Sequence, residues 1–269
     1  MFRVRERLGW VPLWVVPLPI LAVVLLTGGA GSNELSPASV TRYGPAVAMG
    51  KGTARSWINL DEQGAPRAIG VALDEAALRE LPNTSPGKGC CEGPEFVLEL
   101  PGNAPAPFNH IVINWNPKGH EPAGIYDKPH FDFHFYMMTP DARKQITLKG
   151  DDAQRAVRTL PTDEMPDGYV MIPPTAMPQM GVHLVNPNGP EFKGKPFRRT
   201  LIYGAYDGKL TFVEPMITKA YLESKPNSSE LIALPRKFPG SGHYPTAYTV
   251  KWDPSNRQYL IALEGLTNR

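Results

Sequence analysis

Polar and aromatic side chains alternate without a break in Pro129-His130-Phe131-Asp132-Phe133-His134-Phe135-Tyr136. In a strand, successive side chains point to opposite faces, so His130, Asp132, His134 and Tyr136 share one face and Phe131, Phe133 and Phe135 the other. The aromatic face reads as core and the polar face as chemistry. The same reading along the chain predicts strands at residues 54–60 and 67–73, joined across the turn-rich residues 61–66. Asp74 is placed to cap a short helix over residues 75–81, which Pro82 ends. Further strands are predicted at 95–100 and 110–115, ahead of the central strand. Thr139 and Pro140 mark a helix start, with two short helices between residues 140 and 160. Short strands follow at 169–172 and 181–185. Residues 200–206 and 209–214 face each other across Asp207-Gly208, the strongest hairpin signal in the sequence. A short helix at 219–224 and a last hairpin, 247–252 with 258–263, complete the pattern. About a dozen strands with few helices predict a mainly β fold of the α+β kind, a β-sandwich or partly open barrel.

Composition supports this picture, since 30 prolines and 25 glycines in 269 residues favour short elements joined by turns. It also divides the chain. Arg3, Arg5 and Arg7 precede an apolar run over residues 8–26 and small residues up to Ala30, the layout of an export signal. The run is also long enough for an anchor, although Pro12, Pro17 and Pro19 disfavour a straight spanning helix. The expectation is a signal peptide or N-terminal anchor over 1–30, a linker over 31–45 and a β-rich domain over 46–269, with a possible subdomain break near 150–168. The protein is then exported to the periplasm or cell surface and meets membrane only through its N-terminal segment.

Charge changes meaning once that segment is set apart. Of 28 basic and 26 acidic residues, residues 1–30 hold three and one, leaving 25 of each and no net charge. Nothing in the remainder argues for nucleic acid. The two cysteines are the neighbours Cys90-Cys91, which cannot staple distant parts and lack CxxC spacing. They read as two thiols or a local bridge in a Gly-rich loop.

Converging imidazole and carboxylate groups are the usual ligands of zinc, manganese, iron or copper, with zinc first here. Strand rise decides which of these groups can share an ion. Residues two apart lie about 6.6 Å apart and residues four apart about 13 Å, so Asp132 can share a metal with either histidine while His130 and His134 need a bend to do so. Remote ligands are expected from His183, on a strand after a tight turn, and from Glu214, at the end of an apolar strand where burying a carboxylate is otherwise expensive. His120, on the approach loop, is a gate, a ligand or an exposed side chain. Met137, Met138, Met177 and Met180 read as core, with the lining of an apolar pocket or soft copper ligation as minor options. No Gly-x-Ser-x-Gly elbow, Walker loop or dinucleotide fingerprint is present. Two readings follow. In one, a divalent-metal site with an open position activates water or polarises the oxygen of an unknown small molecule, with Tyr136 or His120 as proton donor. In the other, a non-catalytic binding or structural module, the same residues form a hydrogen-bonded network.

The His130 to His134 strand together with Pro178-x-x-Gly181-x-His183-x-x-Asn186 resembles the paired metal-binding motifs of cupins, which would bring these histidines together inside a small barrel. The segments Asn114-Trp115-Asn116-Pro117-x-Gly119-His120, residues 129–136, and Tyr206-Asp207-Gly208-Lys209-Leu210-Thr211-Phe212-x-Glu214-Pro215-Met216 more closely resemble an exported bacterial family of unassigned function, typified by a sigma-E-controlled protein of Thermus. That resemblance implies an exported, β-rich homo-oligomer tied to envelope stress, without a settled activity.

Overall fold

The computed structural model describes residues 39–84 and 93–269. The expected leader, the first part of the linker and the Cys90-Cys91 pair lie outside the described residues. The described residues belong to one compact unit. It is built from two antiparallel sheets. The six-stranded sheet runs β1 (Val40–Met49), β2 (Gly52–Leu60), β3 (Pro66–Asp74), β14 (Gln258–Glu264), β13 (Ala247–Asp253) and β11 (Asn227–Leu231). The seven-stranded sheet runs β4 (Glu95–Glu99), β5 (His110–Asn116), β6 (His130–Tyr136), β10 (Lys209–Thr218), β9 (Arg199–Tyr206), β8 (Gly181–Val185) and β7 (Val170–Met177). A two-stranded ribbon, β12 (His243–Tyr244) with β15 (Thr267–Asn268), joins the chain end to a loop. Because β4 and β7 stay at opposite edges, the larger sheet does not close into a barrel, and the fold is sandwich-like.

One apolar cluster fills the space between the sheets. Ile58, Val71 and Ile261 come from the smaller sheet and meet Ile111, Phe133 and Val213 of the larger one. Phe131, Phe133 and Phe135 all point into it and are fully buried, each worth roughly 1.5–3 kcal/mol of transfer free energy. The alternation in β6 therefore has its expected cause: its odd positions face the second sheet.

The ends of elements follow local chemistry. Asp74 accepts from the Ala77 amide at 2.9 Å, but the helix it caps is a single 3-10 turn, Glu75–Leu78, because Arg79 returns to extended backbone. Thr139 accepts from the Ala142 amide at 3.2 Å and starts α1 (Pro140–Lys144), with Pro140 in the first turn. The β9–β10 hairpin turns at Asp207 and Gly208, both at positive φ (52° and 73°), the conformation that an Asp-Gly pair favours.

Two expectations give way. Residues 40–45, assigned to a linker, are part of β1, whose backbone pairs with β2 from Val40–Leu60 to Met49–Gly52. Its side chains are mostly exposed, so no alternation marks it in the sequence. Nor does the chain divide near 150–168. There α2 (Asp151–Ala156) is tied to the β9–β10 hairpin by a Tyr206–Asp152 hydrogen bond and by the Asp207 amide donating to the Arg155 carbonyl at 3.0 Å. Among the described residues no helix is long and apolar enough to cross a membrane.

Candidate metal centre

The outer face of the larger sheet carries the polar residues of β6, and pairing adds neighbours to each. On β5, Asn116 lies opposite His130, Asn114 opposite Asp132 and Val112 opposite His134. On β10, Met216 lies opposite Asp132; the pairs Val213–Phe135 and Met216–Asp132 bracket Glu214, which falls beside His134. Two strands further, His183 of β8 is opposite Gly204 of β9, and Gly204 is also opposite Phe212 of β10. A Cβ at Gly204 would lie 2.0 Å from the Phe212 ring. Glycine there leaves room for Phe212 to meet His134 and His183 edge-on, at 4.9 and 5.8 Å between ring centres.

The face resolves into two clusters rather than the single site expected. In the first, His120, His130 and Asp132 converge, with ligand atoms within 4.8 Å of one another. His130 Nε2 is 3.1 Å from Asp132 Oδ1 and His120 Nε2 is 3.5 Å from Oδ2. Asn116 Nδ2 donates to Oδ2 at 2.6 Å and so orients the carboxylate. In the second, His134, His183 and Glu214 converge under the same limit. His134 Nε2 is 3.4 Å and His183 Nε2 4.0 Å from Glu214 Oε2. The reason for two is strand rise: His130 and His134 stand too far apart along β6 to meet, so each takes partners from its own end. For the same reason, and because the sheet stays open, His130, His134 and His183 do not come together as the cupin likeness implied.

The orientation of the imidazoles is fixed from behind. His120 Nδ1 faces the Glu121 carbonyl at 2.6 Å, His130 Nδ1 the Lys128 carbonyl at 2.6 Å and His183 Nδ1 the Thr175 carbonyl at 2.8 Å. A carbonyl only accepts, so each Nδ1 carries a proton, and each ring turns its Nε2 towards a carboxylate. Burial pushes the His134 imidazole down to about 3, against the opposing pull of Asp132, and so keeps it neutral. Burial raises the Asp132 carboxyl, but the His130 charge and hydrogen bonds from His120 and His130 outweigh it and hold the group well below the usual carboxylate range.

Tyr136 is fully buried, and its hydroxyl lies 3.4 Å from the Gln179 carbonyl. Its ring stacks on His110 at 4.8 Å. His110 itself is pushed down to about 4 by burial and then by Arg143. Met180 packs with Val112, Tyr136 and Phe212, with Met138 and Met177 against them, which places these methionines in core. Two supports were not read from the sequence. Asn116 could have been found by pairing β5 with β6. Arg143, buried and bidentate to Glu95 at 2.9 and 2.6 Å, comes from α1 and gives no periodic signal.

A cavity of about 380 Å³ lies over this face, and His120 of one cluster and His183 of the other both stand in its wall. Tyr126, also in the wall, bonds Glu191 at 3.3 Å, and burial together with that carboxylate pushes its hydroxyl well above the ordinary tyrosine value.

No curated protein and no solved structure matches the chain. A family model described as TTHB210-like, hypothetical protein TTHB210, matches residues 61–115, from the turn before β3 to β5, and supports a likeness to that uncharacterised family over this stretch.

Proposed function

We propose that the protein binds divalent metal at the two clusters, zinc first, with manganese, iron or copper as the other ions that suit imidazole and carboxylate ligands. One observation carries the reading: three imidazoles have Nδ1 turned to a backbone carbonyl and Nε2 turned to a buried carboxylate. A lone pair 3.1 to 3.5 Å from a carboxylate oxygen repels it unless a cation or proton lies between them. Ligands about 2.0–2.1 Å from a tetrahedral ion lie roughly 3.3–3.4 Å apart, close to these separations. The carbonyls behind the rings are the outer partners that metal-bound histidines commonly have. Three protein ligands leave a position open, where an ion can polarise a bound oxygen or acidify water.

The rival reading, a hydrogen-bonded network without metal, draws on the Asn116–Asp132 bond. Elemental analysis of protein expressed with metal supplied separates the two. Two ions per chain are expected, falling to one in Asp132→Asn and one in Glu214→Gln. Absence of stoichiometric metal from the unaltered protein would favour the network. Export through the N-terminal segment belongs to the same proposal, and cell fractionation tests it.

A further inference from the structure

The cavity shared by the two clusters has a wall unlike a site for polar ions alone. Ile172, Met177, Val185, Phe192, Ile202 and Met216 supply most of its surface, and among the described residues no lysine or arginine lines it. Its polar groups include His120, His183, Tyr126 and Glu121. His183 is almost wholly buried, and its Nε2 makes no hydrogen bond to protein. Its volume of about 380 Å³ falls within the range of small-molecule sites, which are mostly apolar with a few convergent polar groups. An anion entering such a space finds no side-chain cation, so any pull on an oxygen donor must come from ions at the clusters. The apolar wall then selects for the rest of the molecule.

We propose that this cavity binds one compact apolar molecule through an oxygen donor, of the carboxylate, hydroxamate or phenolate kind, which takes an open coordination position at the metal clusters. This rests on the metal reading above and adds the ligand class. The apolar body lies against Ile202 and Met216, which the sheet supplies, and against Phe192 on the 3-10 turn Pro190–Lys193, which packs with them. Ile172 is on the edge strand β7, where a larger side chain can enter the cavity without disturbing the sheet interior.

Titration calorimetry of the zinc-loaded full chain with two probes tests the idea. Benzohydroxamate carries donor and apolar body; acetohydroxamate carries the same donor with a methyl group. Benzohydroxamate is expected to bind at least tenfold more tightly, and to lose that binding when the metal is chelated. Ile172→Trp is expected to weaken benzohydroxamate tenfold or more and to narrow the gap between the two probes. Equal affinity of the two probes for fully loaded protein overturns the proposal and leaves metal binding standing. Failure to load any metal overturns both, and elemental analysis of the same sample tells these outcomes apart. Should Ile172→Trp fail to fold, the probe comparison on the unaltered protein still decides.

Discussion

Phe131, Phe133 and Phe135 on one face of β6 and His130, Asp132 and His134 on the other are all 0% exposed, yet they are buried on different terms. The phenyl rings gain from leaving water, and their partners need only fill space. The imidazoles and carboxylate lose hydration and must recover it from specific atoms at specific distances. One strand thus carries a face that depends on volume and a face that depends on partners.

The sharpest way to break that contrast is to damage one face and read the other. Phe133→Ala is expected to lower stability by about 3–5 kcal/mol in urea unfolding, from lost transfer energy and the cavity left behind. Metal content per folded chain should not change; if it falls, the two faces are not independent. Metal addition works in the opposite sense. Free zinc at about 100 times its Kd should raise stability by about 2.7 kcal/mol per occupied site. The total gain should halve in Asp132→Asn or Glu214→Gln, and Phe133→Ala should retain it in full.

Smaller effects sharpen the comparison within the polar face. Asn116→Ala removes the bond that orients Asp132, and a loss of outer support of this kind typically weakens metal affinity about 10–100-fold. Competition with a chromophoric chelator should show one weakened site, with the His134 cluster unchanged. The weakest effect is expected from pH. Folding holds His110 neutral down to about pH 4 against an ordinary value of 6.5, so the unfolded chain binds the extra proton between them. Stability from this group is complete above about pH 6.5 and is lost progressively as pH falls towards 4. The urea midpoint of metal-free protein should drop from pH 7 to pH 5, by less in His110→Gln. The phenylalanine face carries no group that could contribute such a slope.

Much of this arrangement is legible in the sequence because the two faces of β6 differ in kind, one packing on the second sheet and the other on polar partners, so residue types alternate strictly along it. The Asp-Gly turn and the Thr139 cap were legible because short side chains decide those conformations locally. β1 and β11 were not, since most of their side chains are exposed and show no alternation of apolar and polar residues. The separation of His130 from His134 follows from strand rise alone. The convergence of His120 on Asp132 does not: it depends on the loop between β5 and β6, whose path is set by backbone contacts such as His120 N to the Tyr126 carbonyl at 3.0 Å. His183 and Glu214 could be named as candidates, but their meeting required the order of β6, β10, β9 and β8 across the sheet.

The origin of the ligands has a consequence in time. His134, Glu214 and His183 stand on three strands within one hydrogen-bonded sheet, and none rides on a segment that can swing aside. Releasing an ion from them calls for parting strands or opening the cavity wall, an event on the scale of local unfolding. His120, by contrast, is carried on the loop between β5 and β6. An ion beside Asp132 would therefore exchange faster than one beside Glu214.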